Sequence, residues 1–462
     1  MNSEGSLKKY TLLIATLNAF MTPFMGNAIN LAIPSLGQEY GSSALLLNWV
    51  VNGYLMATAA FLLPFGRLAD IVGRKRVFLA GIASFSIFSL GCGFAWSIEA
   101  LILFRVLQGI GGAMVFSTSM AILTSVFPPQ DRGRVLGIST AATYTGLSLG
   151  PVLGGAMTKY LGWESIFFLS VLFGVAVLLL TVFKLKGEWV GAPGEEFDLL
   201  GSMLYAVGII GLIYGFSSIA TSAVAKYLLG FGIAALIGFI VYQYRSKNPI
   251  LNIRLFKGNP AFTLSNLAAL INYSATFAVT YLMSNHLQVV LGFDSPTAGL
   301  ILLSQPIMMA LLSPFAGRLS DRVEPRIVSS WGMGITTLGL LMFAFLNHQT
   351  PVWGIVATLM LLGTGFALFS SPNSNAVMSA VEKRFYGVAS SILGTMRLTG
   401  QAISMALVSM IIAMYMGSVM LSPEYADLLV RSTRAAFLCF TFICFIGVFA
   451  SLARGNIRKD PK

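Results

Sequence analysis

Long apolar segments recur along the whole of this chain, and they constrain its fold more than any other feature. Fourteen such segments can be counted among its 462 residues, each close to the roughly 20 apolar residues that one helix needs to cross a bilayer. Only 10% of the residues are charged and 56% are hydrophobic, whereas soluble domains carry about 25% charged residues. The sequence therefore predicts an all-α integral membrane protein with fourteen transmembrane helices.

Basic residues outnumber acidic residues, 29 to 17, which gives a formal net charge of +12. Positive charge concentrates in the cytoplasmic loops of membrane proteins, and placing both termini in the cytoplasm puts most of the Lys and Arg residues there. The excess therefore orients a multi-pass protein in the plasma or inner membrane of the cell and requires no nucleic-acid partner. The three cysteines lie inside apolar segments without metal-ligand spacing, so no metal and no cofactor is expected.

The second half of the chain repeats patterns of the first. GRLADIVGRKRVFL at 66–79 is matched by GRLSDRVEPRIV at 317–328, and RVLGISTAATYTGLSLGP at 134–151 is matched by RFYGVASSILGTMRLTGQ at 384–401. Two halves in the same order, related by an axis along the membrane normal, are a transporter architecture whose substrate site lies between the halves. We therefore predict two six-helix bundles plus two extra spans, with domains at residues 1–184, 185–258 and 259–462.

Residues 66–76, GRLADIVGRKR, resemble motif A of the major facilitator superfamily. LILFRVLQGIGGAM at 101–114 resembles its motif B, and GLSLGPVLGG at 146–155 resembles its antiporter motif C. HLQVVLGFDSPTAGL at 286–300 and SSPNSNAVMSAV at 370–381 are further similar to the fourteen-span drug:proton antiporter branch. The resemblance implies the major facilitator fold, and efflux of drugs or other small molecules by alternating access with proton antiport.

Motif A predicts a gate at the cytoplasmic ends of the helices. Gly66 and Gly73 permit a close turn, and Asp70 can cap the next helix or pair with a basic residue of a neighbouring span. Pairs that form only when the halves close on one side bias a two-state rocking equilibrium. We therefore assign gating to residues of motif A and to the aspartate of its repeat: Gly66, Asp70, Gly73, Arg74 and Asp321.

Two arginines fall inside predicted spans, where an ionised side chain costs about 3 kcal/mol or more. Arg105 is expected to face a wet cavity or a polar partner such as Gln108, and the alternative is a structural arginine bonded to backbone carbonyls. Arg397 carries the same alternatives, in the predicted span at 387–416, which is equivalent to the fifth span along the chain (span 5, residues 134–158). Asn27 and Asn30 are amides in the first span, and both are predicted to line a central cavity.

Glycines at helical spacing characterise the segment that resembles motif C. Gly146, Gly150, Gly154 and Gly155 form a ridge free of side chains, and Pro151 removes one backbone hydrogen bond and allows a bend. The ridge is expected to let span 5 pack closely and pivot against the other half. The resemblance implies that this segment marks an exporter.

The first span lacks the carboxylate that the drug:proton branch usually carries there. The stretch FMTPFMGNAINLAIP places Met25 at the acidic position, and no acidic residue lies deep in any predicted span. A buried acid that binds either a proton or a cationic drug is the simplest basis for exchange. Glu164, at the end of a span, is the first candidate to carry protons if the proton is the coupling ion.

The polar groups of the predicted cavity favour a small amphipathic substrate that is neutral or anionic. Because the usual acid is missing, a uniporter or an anion-coupled facilitator is an alternative to the proton antiporter. A membrane-embedded enzyme or receptor is a third interpretation, but no nucleophile–base pair, metal cluster or phosphate loop occurs in the polar connections. We expect a monomeric transporter in the lipid bilayer, without enzymatic activity.

Overall fold

Helices form nearly all of the regular structure in the computed structural model, which describes residues 3–382, 386–417 and 419–455. No strand occurs among these residues, and one isolated backbone bridge joins Ser43 to Met420. The architecture is all-helical, as the sequence predicts.

Six long helices form the first half of the chain, and two more follow in the connection between the halves. The first six are α1 to α6, at Ser3–Tyr40, Ala44–Val72, Arg74–Gly93, Ile98–Val126, Pro129–Leu161 and Glu164–Lys184. The inserted pair comprises α7 and α8, at Leu199–Ser218 and Ala223–Arg245.

Eight helices form the described part of the second half. They are α9 to α16, at Pro260–Thr276, Val279–Asn285, Ser295–Leu302, Ser304–Arg322, Pro325–Phe343, Val352–Ser379, Tyr386–Met416 and Ala426–Ala453. A π-helical turn extends α10, and short 3-10 helices precede α9 and α16; they lie at His286–Val290, Ile253–Leu255 and Pro423–Tyr425.

The spans predicted at 260–287 and 297–316 correspond to single membrane-length segments, Pro260–Val290 and Ser295–Ser320, and each segment contains a short interruption of its α-helix. The first is divided between α9 and α10 next to Ala278, whose N–H donates to the Ser404 hydroxyl of α15 at 3.2 Å. The second is divided between α11 and α12 three residues before Pro306, whose missing N–H interrupts the helical ladder. Hydropathy runs through both breaks without a change, so the apolar pattern does not reveal them.

Thirteen of the described segments are long and apolar enough to cross a membrane. The one predicted span that is not among these thirteen is the fifth along the chain. It corresponds to α5, which has 33 residues but carries many Gly, Ser and Thr residues. These residues lower its hydropathy, and four of its glycines, Gly146, Gly150, Gly154 and Gly155, lie close to other helices. The chain is therefore a multi-pass membrane protein with the helical plan that the sequence predicts.

Polar residues at helix starts explain where several of these helices begin. Each accepts a hydrogen bond from a backbone N–H in the first turn, and such caps satisfy N–H groups that have no partner within the helix. The capping residues of α2, α4, α7, α9 and α11 are Ser43, Ser97, Asp198, Asn259 and Asp294.

Contacts between the helices follow the two halves. Helices α1 to α6 pack on one another, α9 to α16 pack on one another, and α7 pairs with α8. Helix α7 also contacts α2 and α15, so the inserted pair lies beside the seam between the halves. The predicted domain boundaries after residues 184 and 258 fall in the connections on either side of this pair.

An even number of crossings places both described ends of the chain at one face of the molecule. We call this the terminal face, and we call the opposite side, which carries connections such as 41–43 and 162–163, the distal face. Near the distal face the halves touch, because α1 contacts α10 and α11 while α5 contacts α11. The space between the halves is therefore closed on the distal side.

Candidate functional site

The two halves approach most closely between α5 and α11 at the distal face. A Cβ atom at Gly155 would lie 2.3 Å from the Ser295 carbonyl oxygen, and one at Gly299 would lie 2.2 Å from the Pro151 carbonyl oxygen. Real Cβ atoms essentially never come within 3.0 Å of another heavy atom. These two glycines therefore permit the backbones of the two halves to touch.

Hydrogen bonds join the halves beside this contact. The Ser284 hydroxyl of α10 donates to the Asn30 carbonyl of α1 at 2.8 Å. On another side of the seam, the Ala44 N–H at the start of α2 donates to the Val419 carbonyl that follows α15 at 3.0 Å. Both bonds connect residues of different halves, so opening of the distal face breaks them.

An ion pair bridges the halves at the rim of the distal face. Lys159 Nζ of α5 lies 2.6 Å from Asp294 Oδ2, and the two side chains are 44% and 42% exposed. Hydrogen bonds from Lys159 and from Thr297 lower the pKa of the Asp294 carboxyl from 3.8 to about 2. Because the pKa of Asp294 is lowered in the folded protein, its ionised carboxylate stabilises the closed structure fully above the ordinary pKa of 3.8. This stabilisation is lost as the pH falls through about 2. The pair therefore stays ionised at physiological pH.

Reversing one charge of this pair is expected to favour opening of the distal face. Lys159→Glu places two carboxylates together, and an exposed pair is weak, so we expect a cysteine at buried Ser295 to be labelled about two- to fivefold faster. The swapped pair, Lys159→Asp with Asp294→Lys, should return labelling to the rate of the parent chain. An unchanged rate in the single reversal, or no recovery in the swap, contradicts a role of the pair in closure.

Three of the four motif C glycines pack against α1 within the first half. Cβ atoms at Gly146, Gly150 and Gly154 would lie 2.2, 2.9 and 2.5 Å from atoms of α1. Among the four, Gly155 is the one that faces the other half. The ridge therefore holds α5 against α1, and the contact with the second half rests on Gly155 and its neighbourhood.

Motif A forms a turn between α2 and α3 that is held within the first half. Asp70 pairs with Arg74 at 2.8 Å, and Arg74 Nη1 also donates to the Ser125 hydroxyl of α4 at 2.6 Å. Gly73 has a φ of 118°, a backbone conformation that favours glycine. The turn therefore depends on Gly73, and the Asp70–Arg74 pair ties it to α4.

Gly66 is placed differently from the prediction. Gly66 lies inside α2, and a Cβ atom there would make an ordinary contact with Ser117 at 3.5 Å. The prediction that Gly66 permits the close turn is therefore wrong, because the turn comes later, at Gly73. Asp321 belongs to α12, and its side chain lies outside the described residues.

The connection between α6 and α7 packs on motif A, and we call its residues 185–198 the latch. The Gly191 N–H donates to the Asp70 carbonyl at 2.9 Å, and the Arg74 N–H donates to the Trp189 carbonyl at 2.9 Å. The latch therefore pairs its backbone with the backbone of motif A, which ties the inserted pair of helices to the first half.

Acidic side chains of the latch extend this attachment. Glu188 accepts a hydrogen bond from the Lys75 N–H at 2.8 Å, and a Cβ atom at Gly73 would lie 2.6 Å from Glu188 Cδ. Glu195 forms an ion pair with Arg67. Gly73 is therefore required twice, for its backbone conformation and for the approach of the latch. The sequence alone does not indicate this contact.

Arg105 is buried in the first half, where two of its nitrogens donate hydrogen bonds. Nε donates to the Val50 carbonyl at 2.8 Å, and Nη1 donates to Gln108 Oε1 at 2.6 Å. The Gln108 amide donates in turn to the Ser89 hydroxyl at 2.6 Å, and the guanidinium lies 4.4 Å from the centre of the Tyr54 ring. Of the predicted environments, the polar partner and the backbone carbonyl are observed. The residue is 2% exposed, so a wet cavity around it is excluded.

Met25, which the resemblance to the drug:proton branch places at its acidic position, completes this cluster. Its sulfur lies 3.3 Å from the Ser170 hydroxyl and 3.7 Å from the Gln108 amide nitrogen. Both groups are donors, and a thioether is only a weak acceptor. The cluster therefore arranges donors and the cationic Arg105 around an uncharged side chain.

A small cavity lies inside the first half near this cluster. Its volume is about 20 Å³, and Asn18, Tyr54 and Phe173 are among its lining residues. Such a volume holds about one water molecule. The cavity is too small for a solute, and Arg397 does not line it.

Arg397 lies in α15. Among the described residues, no acidic side chain forms an ion pair with it and no group accepts a hydrogen bond from it. Its guanidinium lies over the Tyr273 ring, 5.3 Å from the ring centre, and its Nε is buried without a partner. Tyr144 reaches this region from α5 in the first half. The Tyr144 hydroxyl accepts a hydrogen bond from Ser313 at 3.0 Å and interacts electrostatically with Arg397.

The remaining predicted site residues are Asn27, Asn30 and Glu164. Asn27 donates to the Leu147 carbonyl at 3.2 Å and so joins α1 to α5. Asn30 is 2% exposed, and its side-chain oxygen has no partner among the described residues. Glu164 stands in the first turn of α6 at the distal face and is half-buried. Its role as a proton carrier stays a prediction.

Arg454 is a buried arginine that the sequence pattern treats as an ordinary loop charge. Nη1 donates to Asn373 Oδ1 at 2.8 Å and to the Ser265 hydroxyl at 3.1 Å, and Nε donates to the Ser451 carbonyl at 2.9 Å. Burial lowers the pKa of its guanidinium to about 10. Arg454 therefore remains charged and joins α9, α14 and α16 at the terminal face.

Comparisons with known proteins match most of this chain. The sequence model of the Major Facilitator Superfamily matches residues 15–247 and 265–462. The riboflavin transporter RibZ of Clostridioides difficile is 27% identical over 448 residues, which cover 96% of this chain and 97% of the relative. The multidrug resistance protein Stp of Mycobacterium tuberculosis is 31% identical, with 88% and 76% covered. The cephamycin export protein CmcT of Amycolatopsis lactamdurans is 33% identical, with 87% and 85% covered.

Solved structures share the fold at low sequence identity. A bacterial homologue of the human lysosomal transporter Spinster, in an inward-facing and unoccupied conformation, has a TM-score of 0.70 with 16% identity and 99% of each chain covered. A POT family transporter in complex with a thioalcohol-conjugated peptide has a TM-score of 0.72 with 14% identity, and 96% of this chain and 99% of that chain are covered.

Proposed function

Because the chain belongs to the major facilitator superfamily, we propose that it exports a small molecule across the plasma or inner membrane by alternating access with proton antiport. Members of this superfamily are transporters, so the chain is a membrane transporter and carries a small-molecule substrate. Relatives named for multidrug resistance and for cephamycin export support the outward direction.

The observation that carries this proposal is the contact between the halves at the distal face. It consists of backbone touching backbone at Gly155 and Gly299, hydrogen bonds such as that from Ser284, and the rim pair of Lys159 with Asp294. Each part belongs to two different halves, so a rocking motion breaks all of them together. A seam that is closed on one side by separable contacts is what alternating access requires.

The terminal face has a different construction, which suits the opposite gate. Asp70 and Arg74 are bonded to the latch and to α4, all within the first half and its inserted connection. Motif A is therefore held as a rigid unit that can dock on or leave the second half as a whole. We assign the terminal face to the cytoplasm because most Lys and Arg residues of the predicted loops lie there.

Proton coupling rests on carboxylates near the faces rather than at the centre of the membrane. Glu164, at the distal face and half-buried, is the first candidate to take up a proton from outside. Helix α6 packs on α1 and α5, the helices of the first half that meet α11 at the distal face, so opening of that face would expose the helices beside Glu164. A change of environment on opening is the physical condition for coupling protonation to conformation.

Vesicles that contain the purified protein test this function directly. The solutes form an export panel that includes riboflavin and a cephamycin, which the relatives' names mention. We expect at least one solute of the panel to accumulate when a pH gradient is imposed and to leak back when a protonophore removes it. Protein-free vesicles provide the baseline. Flux that does not respond to the pH gradient rejects antiport, and absence of flux for every solute of the panel rejects transport.

Met25 supports a second candidate function, a uniporter or anion-coupled facilitator. The cluster of Arg105 and Gln108 holds no carboxylate among the described residues, so nothing in it can release a proton at physiological pH. Facilitated flux with no pH dependence, but with exchange against an anion inside the vesicle, is the result that favours this candidate.

A further inference from the structure

We propose, on the basis of the transport function above, that the substrates of this protein are aromatic carboxylates whose anionic group binds Arg397 between the two halves. The inference starts from an unusual property of this arginine. It lies in a membrane-spanning helix, and no described residue accepts a hydrogen bond from it or forms an ion pair with it. An uncompensated cation in a membrane interior is costly, and such residues mark substrate or ion pathways.

The contrast with Arg105 shows that the lack of partners is particular to Arg397. Arg105 is bonded to the Val50 carbonyl and to Gln108, and its surroundings belong to the first half alone. It has a structural explanation without any ligand. Arg397 has none, since its guanidinium lies 5.3 Å from the centre of the Tyr273 ring and interacts with the Tyr144 hydroxyl, and neither group carries a compensating charge. Its guanidinium donors therefore remain available for a ligand from outside the chain.

The surroundings of Arg397 indicate which chemistry that ligand has. A planar guanidinium with free donors matches a carboxylate, which it binds through two parallel hydrogen bonds. Tyr273 and Phe366 meet edge to face with their ring centres 5.5 Å apart, and they supply an aromatic wall beside the cation. An anionic group attached to an aromatic ring would satisfy the arginine and stack on this wall.

The position of the site explains how such a substrate couples to the rocking motion. Arg397 and Tyr273 belong to the second half, whereas Tyr144 comes from α5 of the first half and meets Ser313 of α12 at 3.0 Å. A carboxylate held by Arg397 lies within the electrostatic reach of the Tyr144 hydroxyl. A substrate there contacts both halves, so it can bind each conformation with a different affinity, as a transported substrate must.

Binding to the detergent-purified protein tests the inference without any proton gradient or net transport. The probes are indoleacetate and naphthoate, each compared with its neutral amide of the same shape, and with tryptamine as the cationic counterpart. We expect each carboxylate to bind about 10- to 100-fold more tightly than its amide, the difference typical of hydrogen bonds to a charged group. We expect tryptamine to bind more weakly than either.

Two substitutions decide whether Arg397 is the cause. Arg397→Gln keeps a hydrogen-bonding side chain and should abolish the preference for the carboxylate, whereas Arg397→Lys should retain part of it. Arg431→Gln, at an exposed position of α16, removes the same charge elsewhere and should leave the preference unchanged. Tyr144→Phe tests the contribution of the other half and should weaken carboxylate binding alone. Size-exclusion profiles and melting temperatures show that the variants fold.

The outcomes separate this inference from the proposed function. Equal binding of acid and amide, or a carboxylate preference that survives Arg397→Gln, overturns the anion site while leaving proton-driven export of another substrate intact. Carboxylate binding that depends on Arg397, without flux in vesicles, supports the site and rejects transport as its use.

Discussion

Adding one methyl group at Gly155 should reduce transport roughly 5- to 150-fold, which corresponds to a bias of about 1–3 kcal/mol against the distally closed state. The new Cβ atom would lie 2.3 Å from the Ser295 carbonyl oxygen, and this atom belongs to the backbone and cannot rotate away. Gly155→Ala therefore favours the distally open conformation. Gly299→Ala should act in the same direction, because its Cβ atom would lie 2.2 Å from the Pro151 carbonyl.

The measurement combines vesicle transport with labelling of a cysteine at Ser295, which opening exposes. Gly137→Ala is the matched control, since Gly137 lies in the same helix and a Cβ atom there meets nothing within 4 Å. Both alanines raise helix propensity equally, so a difference between them reports the contact with the second half. Equal transport by Gly155→Ala and Gly137→Ala contradicts closure at this point.

Replacing Met25 by glutamate should add one proton-binding site to the transport cycle. The Met25 sulfur lies 3.3 Å from the Ser170 hydroxyl and 3.7 Å from the Gln108 amide, and Gln108 is bonded to Arg105. A carboxylate at this position gains donors and a nearby cation, which stabilise its ionised form, whereas burial at this 3% exposed position favours the protonated form, and the two opposing effects allow it to exchange a proton. One additional coupled proton changes the steady-state solute gradient about tenfold for each unit of imposed pH difference.

Met25→Gln is the control for this substitution, because it has the size and polarity of glutamate without the proton. We expect Met25→Glu to respond more steeply to the pH gradient than the parent chain, and Met25→Gln to respond as the parent does. The comparison is informative for either candidate function, since it measures the added coupling and not the coupling already present. If transport by both variants responds equally to the pH gradient, a proton bound at residue 25 does not affect transport, and the cluster around Arg105 takes no part in the transport cycle.

The helical plan of the protein could be predicted because it depends on features that are local in the sequence. Apolar segments of sufficient length specify membrane helices wherever they occur, since the unpaired backbone groups of any other structure are costly in lipid. The repeated patterns at 66–79 and 317–328 indicate the two halves. The breaks beside Ala278 and before Pro306 escaped prediction, because the hydropathy does not change there.

The two intramembrane arginines show why site residues were predicted only in part. Both stand in apolar segments, and the sequence offers the same alternatives for each. The structure separates them, because Val50 and Gln108 satisfy Arg105 while Arg397 contacts the face of Tyr273. The partner of a polar group is decided by residues from distant segments that come within about 3 Å of it.

The sequence by itself determined that this chain crosses the membrane many times, that it has two related halves and that its first span lacks an acid at Met25. The tertiary structure decided which motif C glycine meets the other half, that the latch packs on motif A, and that Lys159 pairs with Asp294. The reason is physical: hydropathy and helical spacing are properties of consecutive residues, whereas closure of a seam depends on which backbones approach each other after folding.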